Sequence, residues 1–303
     1  MTRARQWGEA AAAALVIALA RIAPRRTLIA LGGVFGAAAG RLDRRHAKIA
    51  RDNLEQAYGS SLAAADRERI LRDCWRHFGR ITFDALAFRG LSPGARDHGM
   101  TCFGEENIRA AYSAGKGVLV FSAHFGHWEA GALLLGHLGY PLAVVTRPLD
   151  NPILERLLAR ARRGTGNAVI HKRRAVREIL KTLATGSGVA ILIDQDARED
   201  GVFVPYFGRP AATTPTLALL ALRTGAPVLP VFTRMEPDGR IEVHAEPPVV
   251  VQPTEDREED VVRFTAACTA IVESWVRREP AQWLWMHRRW KTLPPGALDG
   301  QVA

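Results

Sequence analysis

An apolar run, Val118 to Phe121, leads into Ser122-Ala123-His124-Phe125-Gly126-His127-Trp128-Glu129-Ala130-Gly131, which sets a histidine five positions ahead of a carboxylate. Such a pair can move a proton. An imidazole with a carboxylate on one nitrogen is held in a single tautomer, and its other nitrogen is left to accept. Val118 to Phe121 reads as a buried strand, Gly126 as a turn and Trp128 to Leu138 as a helix, so His124 is expected at the C-terminal end of a strand. Open α/β sheets gather their chemistry there. Within one helix, five positions would turn a side chain by roughly 140°. His124 therefore belongs in the loop and Glu129 in the first or second helical turn, from where its carboxylate folds back. The chemistry expected is general-base activation of a weakly nucleophilic hydroxyl. Direct attack is expected rather than a covalent intermediate, because Ser122 stands on the strand and not on a nucleophile elbow.

Other blocks follow. Thr146-Arg147-Pro148-Leu149-Asp150-Asn151-Pro152 ends a second apolar strand, and Asp194-Gln195-Asp196 ends a third. Then come Pro205-Tyr206-Phe207-Gly208, Thr213-Thr214-Pro215-Thr216 and Pro280-Ala281-Gln282-Trp283-Leu284-Trp285-Met286-His287-Arg288-Arg289-Trp290-Lys291. In this order and spacing the set resembles the lipid A biosynthesis lauroyl/myristoyl acyltransferase family, within the glycerolipid and lysophospholipid acyltransferase superfamily, from about Asn53 onward. The resemblance implies that His124 and Glu129 form the catalytic His-x4-Glu motif and that Arg147 is the arginine of the second block. It also implies an active site on the cytoplasmic face of the cell inner membrane. The donor would be a thioester of acyl carrier protein or coenzyme A, and the acceptor a membrane glycolipid, a lipid A precursor foremost. No cofactor is needed, since the thioester is already activated. A lysophospholipid or a phosphatidylinositol mannoside is the alternative acceptor. His127 departs from the resemblance, as many members carry Asn there.

Arg147 offers a permanently charged fork suited to a phosphate or a developing oxyanion, or else a salt bridge to Asp150. Asp194, Gln195 and Asp196 either line the acceptor pocket or fix their loop. A rival reading of His124, His127 and Glu129 as a zinc set has the wrong spacing for a His-Glu-x-x-His helix, so no metal is expected. Trp283, Trp285 and Trp290, set among His287, Arg288, Arg289 and Lys291, read either as a membrane-interface belt or as core packing with a solvated basic edge. Gly115-Lys116-Gly117 precedes a strand and is not a phosphate-binding loop.

The elements that must hold these residues follow from the rest of the chain. With 303 residues and 48% hydrophobic content, it can bury a core of one large α/β domain. Cys74, Cys102 and Cys268 are scattered, which argues against a disulfide framework or a thiolate zinc site. A formal charge of +10 favours anionic partners. Nucleic acid is the remote one, because no recognised module is present and only 7% of residues are aromatic. Ala10 to Ala20 and Thr27 to Gly40 are two apolar runs separated by arginines, each short of the ~18 residues of a spanning helix. They suggest an interfacial or partly inserted hairpin at residues 1–45, ahead of an acyltransferase domain at 46–303. Ala18-Leu19-Ala20 also resembles a signal-peptide cleavage site, which Glu9 argues against. Arg41, Arg45 and Lys48 form a basic stripe, facing either headgroups or solvent.

Leu62 to Phe88 reads as an amphipathic helix with Ile70, Cys74, Phe78, Ile81 and Ala85 on one stripe. Strands are expected at 117–122, 141–146, 188–194, 226–233 and 241–245. Helices are expected at 128–138, 152–163, 172–184 and 216–224, with a last one from Asp256 to Arg278 ended by Pro280. Thr214 and Pro215 look like the cap and first turn of the 216–224 helix. The alternation specifies an α/β fold with a largely parallel central sheet flanked by helices, preceded by an N-terminal helical membrane-associating segment.

Overall fold

The computed structural model describes residues 3–19, 23–87, 99–146, 151–153, 155–156, 166–171 and 175–296. Four helices come first: α1 (Arg3–Leu19), α2 (Arg25–Leu42), α3 (Arg44–Tyr58) and α4 (Ala64–Ala87). Strands and helices then alternate through β1 (Met100–Phe103), α5 (Glu105–Ser113), β2 (Val118–Ser122), α6 (Trp128–His137), β3 (Leu142–Thr146), β4 (Ala168–His171), α7 (Ala175–Ala184) and β5 (Gly188–Leu192). A short ribbon, β6 (Val202–Tyr206) and β7 (Arg209–Thr213), precedes α8 (Thr216–Thr224), β8 (Val228–Met235), β9 (Ile241–Ala245) and α9 (Arg257–Arg278).

Seven strands form one sheet in the order β1-β9-β8-β2-β5-β3-β4. The β8–β9 pairing is antiparallel and the others are parallel. β2 lies between β8 and β5, so both its faces must be covered, and a continuous apolar run satisfies that need. Val118 and Val120 enter the core on one face with α5 and α6, whereas Leu119 and Phe121 enter the other with α8, α9 and the C-terminal tryptophans. The sheet is therefore α/β and mostly parallel, as the alternation of elements requires.

Several local expectations change. β1 and β4 have four residues each and lie at the sheet edges, too short to show a strand period. The β6–β7 ribbon turns at Phe207 and Gly208, whose φ values of 53° and 71° are left-handed. Two successive left-handed residues are what a two-residue hairpin requires. Phe207 is held there by its N–H donating to Glu273 (2.6 Å) and by Arg277 stacking on its ring. Helix α8 starts at Thr216 rather than at Pro215, and Thr214 Oγ1 accepts from the Thr216 N–H at 3.4 Å. The basic stripe is broken: Arg41 ends α2, Arg45 and Lys48 belong to α3, and Asp43 caps between them. Most of the expected 152–163 helix lies outside the described residues.

Helix α2 crosses α4 almost backbone to backbone. A methyl group added at Gly36 would sit 2.1 Å from the Trp75 carbonyl oxygen, and one at Gly79 would sit 2.0 Å from that of Gly32. Glycine at i, i+4 spacing permits this approach. Leu28 and Ile29 at the start of α2 are buried, whereas Leu31, Val34, Phe35 and Leu42 face outward. Among the described residues no helix is long and apolar enough to cross a membrane.

Candidate active site

β2 and β5 are parallel neighbours in a register that pairs Ser122 with Leu192. The ladder continues one step further, through the Ile193 N–H donating to the Ser122 carbonyl (3.2 Å). Two residues beyond the register pair, the strand ends deliver His124 and Asp194 side by side. Asp194 Oδ1 lies 2.9 Å from His124 Nδ1, and Oδ2 accepts the His124 backbone N–H at 2.9 Å. The same Oδ2 accepts the indole N–H of Trp283 at 2.9 Å. Asp194, not Glu129, is thus the carboxylate on the ring nitrogen. With the proton held on Nδ1, Nε2 presents a lone pair.

The electrostatics follow from this geometry. Burial raises the Asp194 carboxyl, but the charge of His124 and the hydrogen bonds from His124 and Trp283 outweigh it and hold the group down to about 2. For His124, burial opposes the imidazolium. The charge and hydrogen bond of Asp194, with a further contribution from the charge of Glu129, reverse this and raise its pKa. Glu129 sits in the first turn of α6 and is partly buried.

The turn after His124 is built for close approach. Gly126 has a φ of 57°, and a Cβ there would fall 1.7 Å from the Thr233 carbonyl oxygen. Its N–H donates to the Gln282 carbonyl (2.9 Å), and its carbonyl lies 3.2 Å from His77 Nε2. Burial drives the His77 pKa down to about 3, so the ring is neutral and donates to that carbonyl. His127 caps α6, its Nδ1 accepting the Ala130 N–H at 3.4 Å.

The C-terminal block is a strap across this turn. The Leu284 N–H donates to the His124 carbonyl (3.1 Å), and Gln282 brackets Met235 through both ends of its amide. Trp283, Trp285 and Trp290 are 1%, 0% and 7% exposed, so the packing alternative describes them and the membrane belt does not. Arg289 is also buried and does not belong to a solvated edge. It donates to the Ala212 carbonyl (2.7 Å) and Thr213 Oγ1 (2.5 Å).

The remaining expected residues are dispersed. Gln195 is exposed. The Asp196 N–H donates to His287 Nε2 (2.9 Å) and its carboxylate accepts Thr292 Oγ1 (3.0 Å), an arrangement that fixes the loop. Arg147 and Asp150 lie outside the described residues, as does Gly90-Leu91-Ser92-Pro93-Gly94, which has the Gly-x-Ser-x-Gly pattern. The rings of His124 and His127 turn to different carboxylates, Asp194 and Asp84. Among the described residues no group of three His, Cys, Asp or Glu side chains is arranged to hold a metal ion. A cavity of about 380 Å³ lies away from this pair, between Phe103, His244, Trp275 and Glu279.

Sequence reasoning missed Trp283 as a partner of the site and missed Asp194 as the partner of His124. The only signal was that Asp194, like His124, follows an apolar strand directly.

Fold and site together define a class: an open α/β enzyme whose basic histidine, held by a buried aspartate, stands at the ends of its central parallel strands. Residues 2–292 match the bacterial lipid A biosynthesis acyltransferase family, and the chain belongs to that family. It is an acyltransferase. It is 29% identical over 290 residues to a lipid A biosynthesis lauroyltransferase of Escherichia coli K12, covering 90% of this chain and 88% of that one. A palmitoleoyltransferase of the same organism is 30% identical over 280 residues, with the same coverage. The chain is also similar to a phosphatidylinositol mannoside acyltransferase of Mycolicibacterium smegmatis, at 24% identity over 265 residues, 85% of this chain and 84% of that one.

Proposed function

We propose that the protein transfers a fatty acyl chain from a thioester donor to a hydroxyl of a lipid A precursor at the cytoplasmic face of the inner membrane. The observation that carries this reading is the His124–Asp194 pair, whose Nε2 has no hydrogen-bond partner among the described residues. In the reaction, Nε2 accepts the proton of the acceptor hydroxyl as the oxygen attacks the thioester carbonyl carbon. The C–S bond then breaks, and the thiolate leaves with the proton from the imidazolium. Asp194 holds the tautomer and stabilises the imidazolium, and Glu129 adds a second negative charge beside it. Arg147 binds an acceptor phosphate, and the exposed Gln195 borders the acceptor on the loop that Asp196 fixes. The donor is acyl carrier protein or coenzyme A thioester.

Residues 1–45 serve as the membrane-associating segment and 46–303 as the acyltransferase domain. Trp7, Leu15, Leu31, Val34, Phe35 and Leu42 expose apolar side chains on α1 and α2, which supports a helical hairpin lying in the headgroup region. The mycobacterial relative supports a phosphatidylinositol mannoside as the second acceptor, at lower identity than the two lipid A enzymes.

The test is mass spectrometry of membrane lipids from cells with the protein, without it, and with His124→Ala. An added acyl group on lipid A that disappears in both deficient strains is expected. An unchanged lipid A profile with altered mannoside acylation would transfer the assignment to the second acceptor. An acyl group retained with His124→Ala would remove His124 from the mechanism.

A further inference from the structure

We propose that Arg25, at the start of α2, is a positioning residue for the acyl-transfer site, acting through Asp84 and His127 on the first turn of α6. The inference rests on the reading of His124 and Glu129 as flanking the reaction centre. It goes beyond that reading by tying them to the N-terminal hairpin.

Arg25 forks onto Asp84, with Nε donating to Oδ1 (2.8 Å) and Nη2 to Oδ2 (2.7 Å). Such a two-pronged charged contact fixes direction as well as distance. The Asp84 side chain is 0% exposed, and its Oδ2 also lies 3.4 Å from Nε2 of His127, itself 3% exposed. On the opposite side of the ring, Nδ1 accepts the Ala130 N–H. Acceptance requires a lone pair at Nδ1, so the hydrogen is on Nε2, 3.4 Å from Asp84 Oδ2, and the ring is neutral. An imidazolium carries hydrogen on both nitrogens and could not cap α6.

Arg25 permits that neutral state. A buried carboxylate needs a countercharge, and the guanidinium supplies it in full. Burial pushes the Asp84 carboxyl up, and the hydrogen bonds from His127 and Arg25 outweigh it and hold it low. Without Arg25, His127 is the remaining basic group beside Asp84 among the described residues, and on this proposal it takes a proton as the new countercharge. Of the other titratable groups, His77 of α4 lies within electrostatic reach of His127 and Arg80. His77 is neutral and committed to the Gly126 carbonyl. The glycine contacts of α2 with α4 make the delivery of Arg25 rigid. The seat of the hairpin and the first turn of α6, which carries Glu129, are therefore one mechanical unit.

The experiment compares Arg25→Gln, Arg25→Lys and Arg25→Gln/His127→Asn with the parent enzyme, by acyl-transfer rate against pH and by ¹⁵N NMR of the histidine side chains. Arg25→Gln should show an imidazolium at His127 and a fall in kcat of about tenfold at neutral pH, the size of a lost helix cap, recovered at higher pH with little change in KM. Arg25→Lys keeps the charge and should keep the neutral ring. Asn caps without titrating, so the double variant should recover most of the lost rate and lose the new pH dependence. A neutral His127 in folded Arg25→Gln, a loss uniform in pH, or no rescue by Asn would each overturn the proposal. An imidazolium at His127 in the parent enzyme would do so as well. Failure of the acyl-transfer reading itself would appear separately, as an undiminished rate in His124→Ala.

Discussion

Helix α2 leaves Val34 and Phe35 68% and 60% exposed with arginines toward its ends, whereas the C-terminal strap hides three tryptophans and an arginine. As sequences, both stretches invite a membrane-interface reading. The difference lies in what each offers its neighbours. In the strap the buried large side chains come with a partner for a polar atom or a ring to pack on: the Trp283 indole donates to Asp194, the Trp285 indole to the Pro280 carbonyl, Arg289 to Ala212 and Thr213, and Trp290 lies against the Tyr206 ring. Helix α2 buries Leu28 and Ile29 but beyond them turns Gly32, Gly36 and Gly40 toward α4 and Leu31, Val34, Phe35 and Leu42 outward. Large apolar side chains are thus left on the outer face of α2, where a helix packed on a soluble core ordinarily carries polar ones.

The sharpest way to break this contrast is to truncate one residue on each side of it. Trp285→Ala should destabilise the fold by about 3–5 kcal/mol in urea unfolding, because a fully buried indole leaves a cavity. A loss below about 1 kcal/mol would mean that the strap is a loosely held cover. Val34→Ser with Phe35→Ser should change unfolding stability by no more than about 0.5 kcal/mol. The same pair should weaken binding to anionic vesicles by roughly tenfold or more, since each side chain buried in lipid contributes about 1.5–3 kcal/mol. Equal vesicle binding would return the hairpin to the status of an ordinary solvated surface. A smaller and more selective effect is expected from Trp283→Phe, which keeps a ring but removes the donor to Asp194. A cost of about 1 kcal/mol in stability and about tenfold in kcat would separate positioning of the carboxylate from simple packing. An unchanged kcat would make Trp283 a packing residue alone.

The same contrast explains what could be read in advance. The alternation of elements, the strand leading into His124 and the turn at Gly126 are local features, and all are visible in residue types. The His124–Asp194 pairing is not local. It depends on β5, rather than the next strand in sequence, lying beside β2, and on a register of Ser122 with Leu192. Nothing within seventy residues of His124 specifies either. Spacing pointed instead to the nearest carboxylate, Glu129, whose charge does act on His124 but whose oxygens are not the ones at Nδ1. Arg25 was legible only as a flanking cation, because its partner Asp84 lies on the buried face of a different helix, where a carboxylate is not expected.

The central claim is that Asp194 sets the protonation of His124, and the rate of acyl transfer against pH tests it most directly. His124 must be neutral to accept a proton, and its pKa is raised, so the acid limb of kcat/KM in the parent enzyme should lie above the ordinary histidine value of 6.5. In Asp194→Asn the opposing charge is gone and burial dominates, so the limb should move to lower pH. The plateau should fall by about 10²- to 10⁴-fold, because the tautomer is no longer held. A limb that stays in place, with a plateau within a few-fold of the parent enzyme, would contradict the account and return the search for the partner of His124 to Glu129.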